Sequence, residues 1–253
     1  MRKAERFGRI LELLAGDGTV AVGDLARDLG VSEATIRRDL RALDEQRLLA
    51  RSHGGAVAQG TLYELPVRYR TGRQRDEKQR IARAARERVP DGAVVALTGG
   101  TTTTEVARAI SDREGLTIVT NALNIAAELA VRPNLKLIVT GGVARSASYE
   151  LVGSLADTTL RGLYVDVAFV GVDGLDPAAG LTTHHEIEAA VNNALIGRAR
   201  HAIAVADSSK LGQTALARIC PVEAVDELIT DAGADRSLVA ALEEGGLTVT
   251  VVG

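Results

Sequence analysis

Seven short aliphatic runs, at 94–97, 116–119, 135–139, 165–170, 202–206, 227–230 and 247–252, recur through the later part of a 253-residue chain, with helical stretches between them. A strand that reads apolar at nearly every position is covered on both faces. Such strands, separated by helices, predict a parallel sheet layered between helices. Residues 76–253 are therefore expected to form an α/β domain. With 46% apolar residues but only 2% aromatic, its core must be aliphatic, and base stacking on aromatic platforms is disfavoured as a route to single-stranded nucleic acid.

Before residue 59 the pattern is different. Phe7, Ile10, Leu11 and Leu14 predict an amphipathic helix ending near Ala15, and Val22, Leu25, Ala26 and Leu29 form a second apolar stripe. Ile36, Leu40 and Leu43 form a third, on a helix that Ser32 should cap so that it begins at Glu33. Gly30 lies where the chain must turn between the last two helices, which makes a helix-turn-helix pattern. Residues 48–57 read as a hairpin turning at Gly54 and Gly55, a wing beside the second helix. The fold expected for 1–58 is thus a winged helix-turn-helix.

In such modules the start of the second helix enters the major groove of double-stranded DNA. Ser32, Thr35, Arg37, Arg38 and Arg41 are the candidates for contact there, with Arg51 and His53 near the wing tip beside the sugar-phosphate backbone. The competing reading is a solvated basic face, because arginine is this chain's default cation, 26 against 4 lysines. The preceding helix, the glycine turn and the wing together favour DNA. Residues 1–80 carry 16 basic and 12 acidic side chains and the remainder 14 and 21, although 1–58 alone is nearly neutral at 10 and 9. Affinity must come from where the arginines sit. Residues 59–75, with Gly60, Pro66, Gly72 and four arginines and no clear periodicity, read as a linker.

Cys220 is the only cysteine, which excludes intramolecular disulfides and cysteine-based zinc sites. No signal core follows the N-terminal Met-Arg-Lys-Ala-Glu-Arg and no 18-residue uncharged apolar run occurs, so a cytoplasmic protein without a membrane partner is expected.

Small molecules bind open parallel sheets beyond the carboxyl ends of the strands. Gly99 and Gly100 follow a strand there, and Thr101, Thr102 and Thr103 open the next helix, whose free N–H groups and positive dipole end suit a phosphate. Thr140-Gly141-Gly142 and Thr120-Asn121 place similar groups after two other strands. Any one of these loops could be an ordinary turn; their convergence favours a site.

The run Val-Ser-Glu-Ala-Thr-Ile-Arg-Arg-Asp-Leu at 31–40 and Arg-Ser-His-Gly-Gly-Ala at 51–56 resembles the winged helix of DeoR-type bacterial transcriptional regulators. The resemblance continues through Asp76-Glu77-Lys78, 98–103, Thr120-Asn121, 140–142, 171–174 and 207–210, and covers nearly the whole chain. It implies a DNA-binding regulator, a repressor of a sugar operon, bound as at least a homodimer to an operator. The sensor domain would resemble ribose-5-phosphate isomerase and bind a phosphorylated sugar effector without any cofactor. By the same resemblance Gly99 to Thr103 would hold the phosphate, with Lys78 as helper. Asn121, Gly141, Gly142, Asp173, Glu188 and Lys210 would surround the sugar.

The alternative is a sugar-phosphate isomerase with an appended DNA-binding domain. The isomerase pattern Asp-Gly-Ala-Asp-Glu with a following Lys-Gly-Gly-Gly resembles 170–174 and 178–180, but Val170 stands for one acid and the lysine is missing. Asp173 and Glu188 alone are an incomplete set for proton transfer, so binding without turnover is expected, with no catalytic residue. His184-His185 before Glu186 and Glu188 suggests a metal only weakly, since adjacent helical residues point about 100° apart. No metal is expected.

Overall fold

The structure is a computed structural model that describes residues 2–58 and 65–253 and divides into two compact units, meeting at Arg73 and Gln74. The first unit contains α1 (Lys3–Asp17), β1 (Thr19–Ala21), α2 (Val22–Asp28), α3 (Glu33–Glu45), β2 (Ala50–Ser52), β3 (Gly55–Val57) and α4 (Val67–Arg70). Phe7, Ile10, Leu11, Leu14, Leu25, Ile36, Leu40 and Leu43 meet in one core, as their helical spacing requires. α1 runs past Ala15 to Asp17, where Gly18 (φ +71°) turns back its N–H to Leu14 O at 2.9 Å. Gly30 (φ +64°) makes the turn between α2 and α3, and the Ser32 hydroxyl accepts from the Thr35 N–H.

Three features differ from the sequence reading. β1 adds a third strand to the wing, giving the antiparallel order β1-β3-β2. The hairpin turns at His53-Gly54 rather than Gly54-Gly55, because Gly55 is already paired with Ser52 and packed on β1. A Cβ at Gly55 would lie 1.9 Å from the Val20 carbonyl oxygen, so that glycine serves strand contact and Gly54 (φ +83°) serves the turn. Nor is 59–75 featureless: α4 buries Tyr69 against Phe7, ring centroids 5.8 Å apart, and the Tyr69 hydroxyl donates to Gln46 Oε1 at 2.6 Å. Residues 59–64 of that stretch lie outside the described residues.

One buried ion pair ties α3 to α1. Asp39, 2% exposed, accepts from Arg6 Nε at 2.5 Å and Nη2 at 3.1 Å. That hydrogen bond holds the Arg6 guanidinium pKa above its ordinary value.

The second unit follows the order α5 (Arg75–Arg86), β4 (Val94–Leu97), α6 (Thr101–Ile110), β5 (Thr117–Thr120), α7 (Leu123–Leu129), β6 (Lys136–Val139), β7 (Val143–Ala144), β8 (Leu151–Val152), α8 (Ser154–Arg161), β9 (Val165–Gly171), β10 (Gly174–Asp176), β11 (Gly180–Thr183), α9 (Glu186–Ile196), β12 (Ala199–Val205), β13 (Ala217–Cys220), β14 (Glu227–Asp231), α10 (Arg236–Glu244) and β15 (Thr248–Val252). Its main sheet is wholly parallel, in the order β15-β14-β12-β9-β4-β5-β6, and corresponds to the seven aliphatic runs. Across β4, β12 and the middle of β9 side chains alternate by size. Val95, Leu97, Val167, Phe169, Ile203 and Val205 face α5, α6 and α7. Ala96, Ala168, Ala202 and Ala204 line the other face, where small side chains let α8, α9 and α10 lie close. β10, β11 and β13 form a small antiparallel sheet, and β7 and β8 pair as a hairpin.

The chain passes outward from β4 through β5 to β6, then returns to the other side of β4 as β9, so the order reverses between β4 and β9. Among the described residues no helix is long and apolar enough to cross a membrane.

Removing one member of a buried pair leaves the other charge uncompensated. Asp39→Ala is expected to destabilise the N-terminal unit by about 3 to 5 kcal/mol in urea unfolding followed by circular dichroism. An effect below about 1 kcal/mol would mean that the pair behaves as an exposed one.

Candidate nucleic-acid interface and ligand site

In the first unit the apolar side of α3 is buried, which leaves Ala34, Arg37, Arg38, Arg41 and Glu45 on the exposed side. Arg37 is paired with Glu33 at 2.6 Å, both about half exposed. Ser32 and Thr35 bond each other, Oγ to Oγ1 at 3.0 Å, so their hydroxyls serve the helix start. Arg38, Arg41, Arg51 and His53 are exposed and have no ion-pair partner among the described residues. The seven predicted positions thus fall into two sets: three engaged within the helix itself, and four cationic or imidazole groups on the helix and wing left to solvent. Asp39, within the Arg-Arg-Asp-Leu run, was not among the predicted functional positions. The signal for it was its place three residues after Ile36, inside the apolar stripe, where a carboxylate needs a buried partner.

In the second unit β4 and β9 are paired neighbours, so the loops that leave them start side by side. Thr98 joins them: its N–H donates to Phe169 O at 3.2 Å and its Oγ1 accepts from the Gly171 N–H at 2.9 Å. Gly99 and Gly100 follow, the latter at φ +129°, where a side chain would be strained. The first-turn N–H groups of α6 have no intrahelical acceptors, an arrangement that can donate to an anion. Two threonine hydroxyls of this helix bond back to the loop before it. Thr103 Oγ1 donates to Gly100 O at 3.1 Å, Thr104 Oγ1 to the same oxygen at 2.6 Å, and Thr102 is buried. The loop therefore offers backbone more than side chain.

Gly141 and Gly142 lead into β7 and not into a helix, so they lack the free donors of a helix start. Gly142 (φ +124°) allows close contact with β8, since a Cβ there would lie 2.6 Å from Val152 O. Asn121, buried, donates through Nδ2 to Glu150 Oε2 at 3.0 Å.

Two linked clusters of charge lie at the other strand ends. Glu188, in the first turn of α9 and 2% exposed, accepts from Arg145, from Ser148 and, at 3.4 Å, from Thr183 Oγ1. Thr183 Oγ1 is also 3.0 Å from Asp173 Oδ2, and Asp173 lies 4.0 Å from Lys210 Nζ and 3.9 Å from His184. Lys78, buried on α5, reaches Asp207 Oδ2 at 3.5 Å, and Asp207 also caps the short turn that carries Lys210. A chain of contacts thus runs from Asp173 through Thr183 and Glu188 to the segment 145–150, and through Glu150 to Asn121. Ser148, Glu150 and Thr183 escaped the sequence reading because polar residues in a short hairpin carry no periodic signal. Glu150, set between Tyr149 and Leu151, was the one hint.

His185 caps α9, its Nδ1 accepting from the Ile187 N–H at 3.2 Å, so this imidazole belongs to the helix start. Burial pushes the Cys220 thiol up to about 11, which keeps it protonated and unreactive.

The chain matches the family model for a DeoR-like helix-turn-helix domain over residues 6–61 and that for the DeoR C-terminal sensor domain over residues 73–232. It is 34% identical to the glycerol-3-phosphate regulon repressor of Escherichia coli K12, over 92% of each chain. It is 37% identical to the HTH-type transcriptional regulator GlpR of Haloferax volcanii, over 98% of each. With the HTH-type transcriptional repressor CsqR of Escherichia coli K12 it shares 34% over 89% of this chain and 87% of that one. Among solved structures, ribose 5-phosphate isomerase A of Methanocaldococcus jannaschii aligns at a TM-score of 0.41 and 20% identity, spanning 55% of each chain. On the family models and the full-length relatives, the chain belongs to the DeoR family of transcriptional regulators.

Proposed function

We propose that the protein represses a carbohydrate catabolic operon and that a phosphorylated sugar binding in the sensor crevice controls it. The observation that carries the DNA half is the set Arg38, Arg41, Arg51 and His53, exposed on helix and wing with no ion-pair partner among the described residues. Groups left so can neutralise phosphates or read guanine without first breaking a pair. Arg37, held by Glu33, would have to break one. Because operators are read by two-fold dimers, the working form is a homodimer or a higher oligomer.

The effector half is supported by the pairing of an anion-binding helix start, α6, with carboxylates that accept hydrogen bonds from hydroxyls. Lys78 and Lys210 are each within 4.0 Å of an aspartate, so they balance those charges and orient the site. Effector control requires that the sugar phosphate bind one arrangement of the dimer more tightly than the other.

Turnover is disfavoured by the same residues. Val170, which stands where the isomerase pattern has an acid, is wholly buried in the sheet core. Glu188 is engaged by Arg145, Ser148 and Thr183, leaving it poorly placed to take a proton from carbon.

Arg38→Ala should weaken operator binding by about 1 to 3 kcal/mol in fluorescence anisotropy if the side chain reads a base. A smaller loss, equal on unrelated duplex, assigns it to phosphate. Ribose 5-phosphate incubated with the protein should stay unconverted, and at least one sugar phosphate should raise its melting temperature. Conversion at roughly 1 to 1000 per second would establish an enzyme instead.

A further inference from the structure

The two amide atoms of Asn121 are treated unequally. The residue follows β5 and is 0% exposed. Its Nδ2 donates to Glu150 Oε2, while its Oδ1, also buried, has no hydrogen-bond partner among the described residues. Buried amide oxygens without a donor are uncommon and unfavourable. An asparagine can usually relieve such a mismatch by turning its amide over. Here the turn would set Oδ1 against the Glu150 carboxylate oxygen, acceptor against acceptor, and lose the bond that Nδ2 now makes.

Backbone contacts hold both residues in place. The Leu151 N–H donates to Asn121 O at 2.7 Å, Ala122 and Glu150 form an isolated antiparallel bridge, and the Glu150 N–H donates to Ser148 Oγ at 3.3 Å. The Glu150 side chain also lies over the loop that opens α6, since a Cβ on Gly99 would lie 2.4 Å from its Cγ and Oε1. The pair therefore adjoins the candidate anion seat through Glu150, and the unanswered atom of the pair is an acceptor. A phosphate dianion offers only acceptors and cannot satisfy it, whereas a hydroxyl can.

We propose that Glu150 is a specificity-determining residue of the crevice: by fixing the Asn121 amide in one orientation, it makes Oδ1 an acceptor for a hydroxyl of the bound phosphate ester. This rests on the reading of the crevice as a phosphate-ester site. Polyhydroxylated esters are then selected over simple ones, and Glu150 acts through Asn121 as a positioning residue.

The full-length protein is titrated calorimetrically with ribose 5-phosphate, fructose 6-phosphate, glycerol 3-phosphate, methyl phosphate and inorganic phosphate. The wild type is expected to prefer its best polyhydroxylated ester to methyl phosphate by about ten-fold or more, the scale of one buried hydrogen bond. Asn121→Leu and Glu150→Gln should each reduce that ratio about ten-fold, and the double variant should reduce it little further, because both act on one contact. Glu150→Gln keeps size and shape, so it remains informative if Asn121→Leu does not fold. An unchanged ratio in Glu150→Gln, or equal weakening of every ester, overturns the proposal while leaving the phosphate-ester reading intact. Failure of the wild type to bind any of the five overturns both.

Discussion

The sensor unit depends on a single reversal of strand order. β4 is laid down first, two strands are added on one side, and β9 is then placed on the other. Loops leaving β4 and β9 must diverge to opposite faces, which opens a crevice that an unreversed sheet would not have. Thr98 closes the gap at its floor with bonds to Phe169 and Gly171. The close approach is enforced by missing side chains: a Cβ on Gly171 would lie 2.9 Å from Gly99 O. Glycine is thus needed on both sides of the reversal, for packing before any question of ligand.

The first unit solves a different problem, holding a short helix rigid while its outer face stays unpacked. α3 is anchored on three sides: by its aliphatic stripe, by the Ser32 cap, and by Arg6 on Asp39. An ion pair of that burial is a poor source of net stability but a strong determinant of orientation, because only one placement of α1 against α3 satisfies both charges. The exposed arginines can then remain unpaired without loosening the helix that presents them.

How far the sequence could be read depended on segment length and on whether burial was local. All seven strands of the main sheet were legible, because each is a continuous aliphatic run whose burial shows in its own composition. β1, β7, β8, β10, β11 and β13 were not, since runs of two to four residues become strands only through the partner beside them, as Thr19–Ala21 does against Gly55–Val57. At the site, Gly99 and Gly100 follow a strand as their spacing indicated, but a hydroxyl in a first helical turn can face outward or bond back to its own chain, as those of Thr103 and Thr104 do, and sequence does not distinguish the two. Gly141 and Gly142 resembled a second anion loop because two glycines after a strand look alike whether a helix or a strand follows. Arg145, Ser148 and Glu150 gain meaning only from Glu188 and Asn121, about thirty to forty positions away.

Cys220, buried at the end of β13 in the small antiparallel sheet, has a bearing on which signals the molecule can heed. Burial holds its thiol protonated at pH 7, and the thiolate is the form that attacks peroxides and disulfides. Sulfur chemistry at this position is thereby silenced, so a burst of oxidant leaves the chain's sole thiol untouched unless the domain first opens.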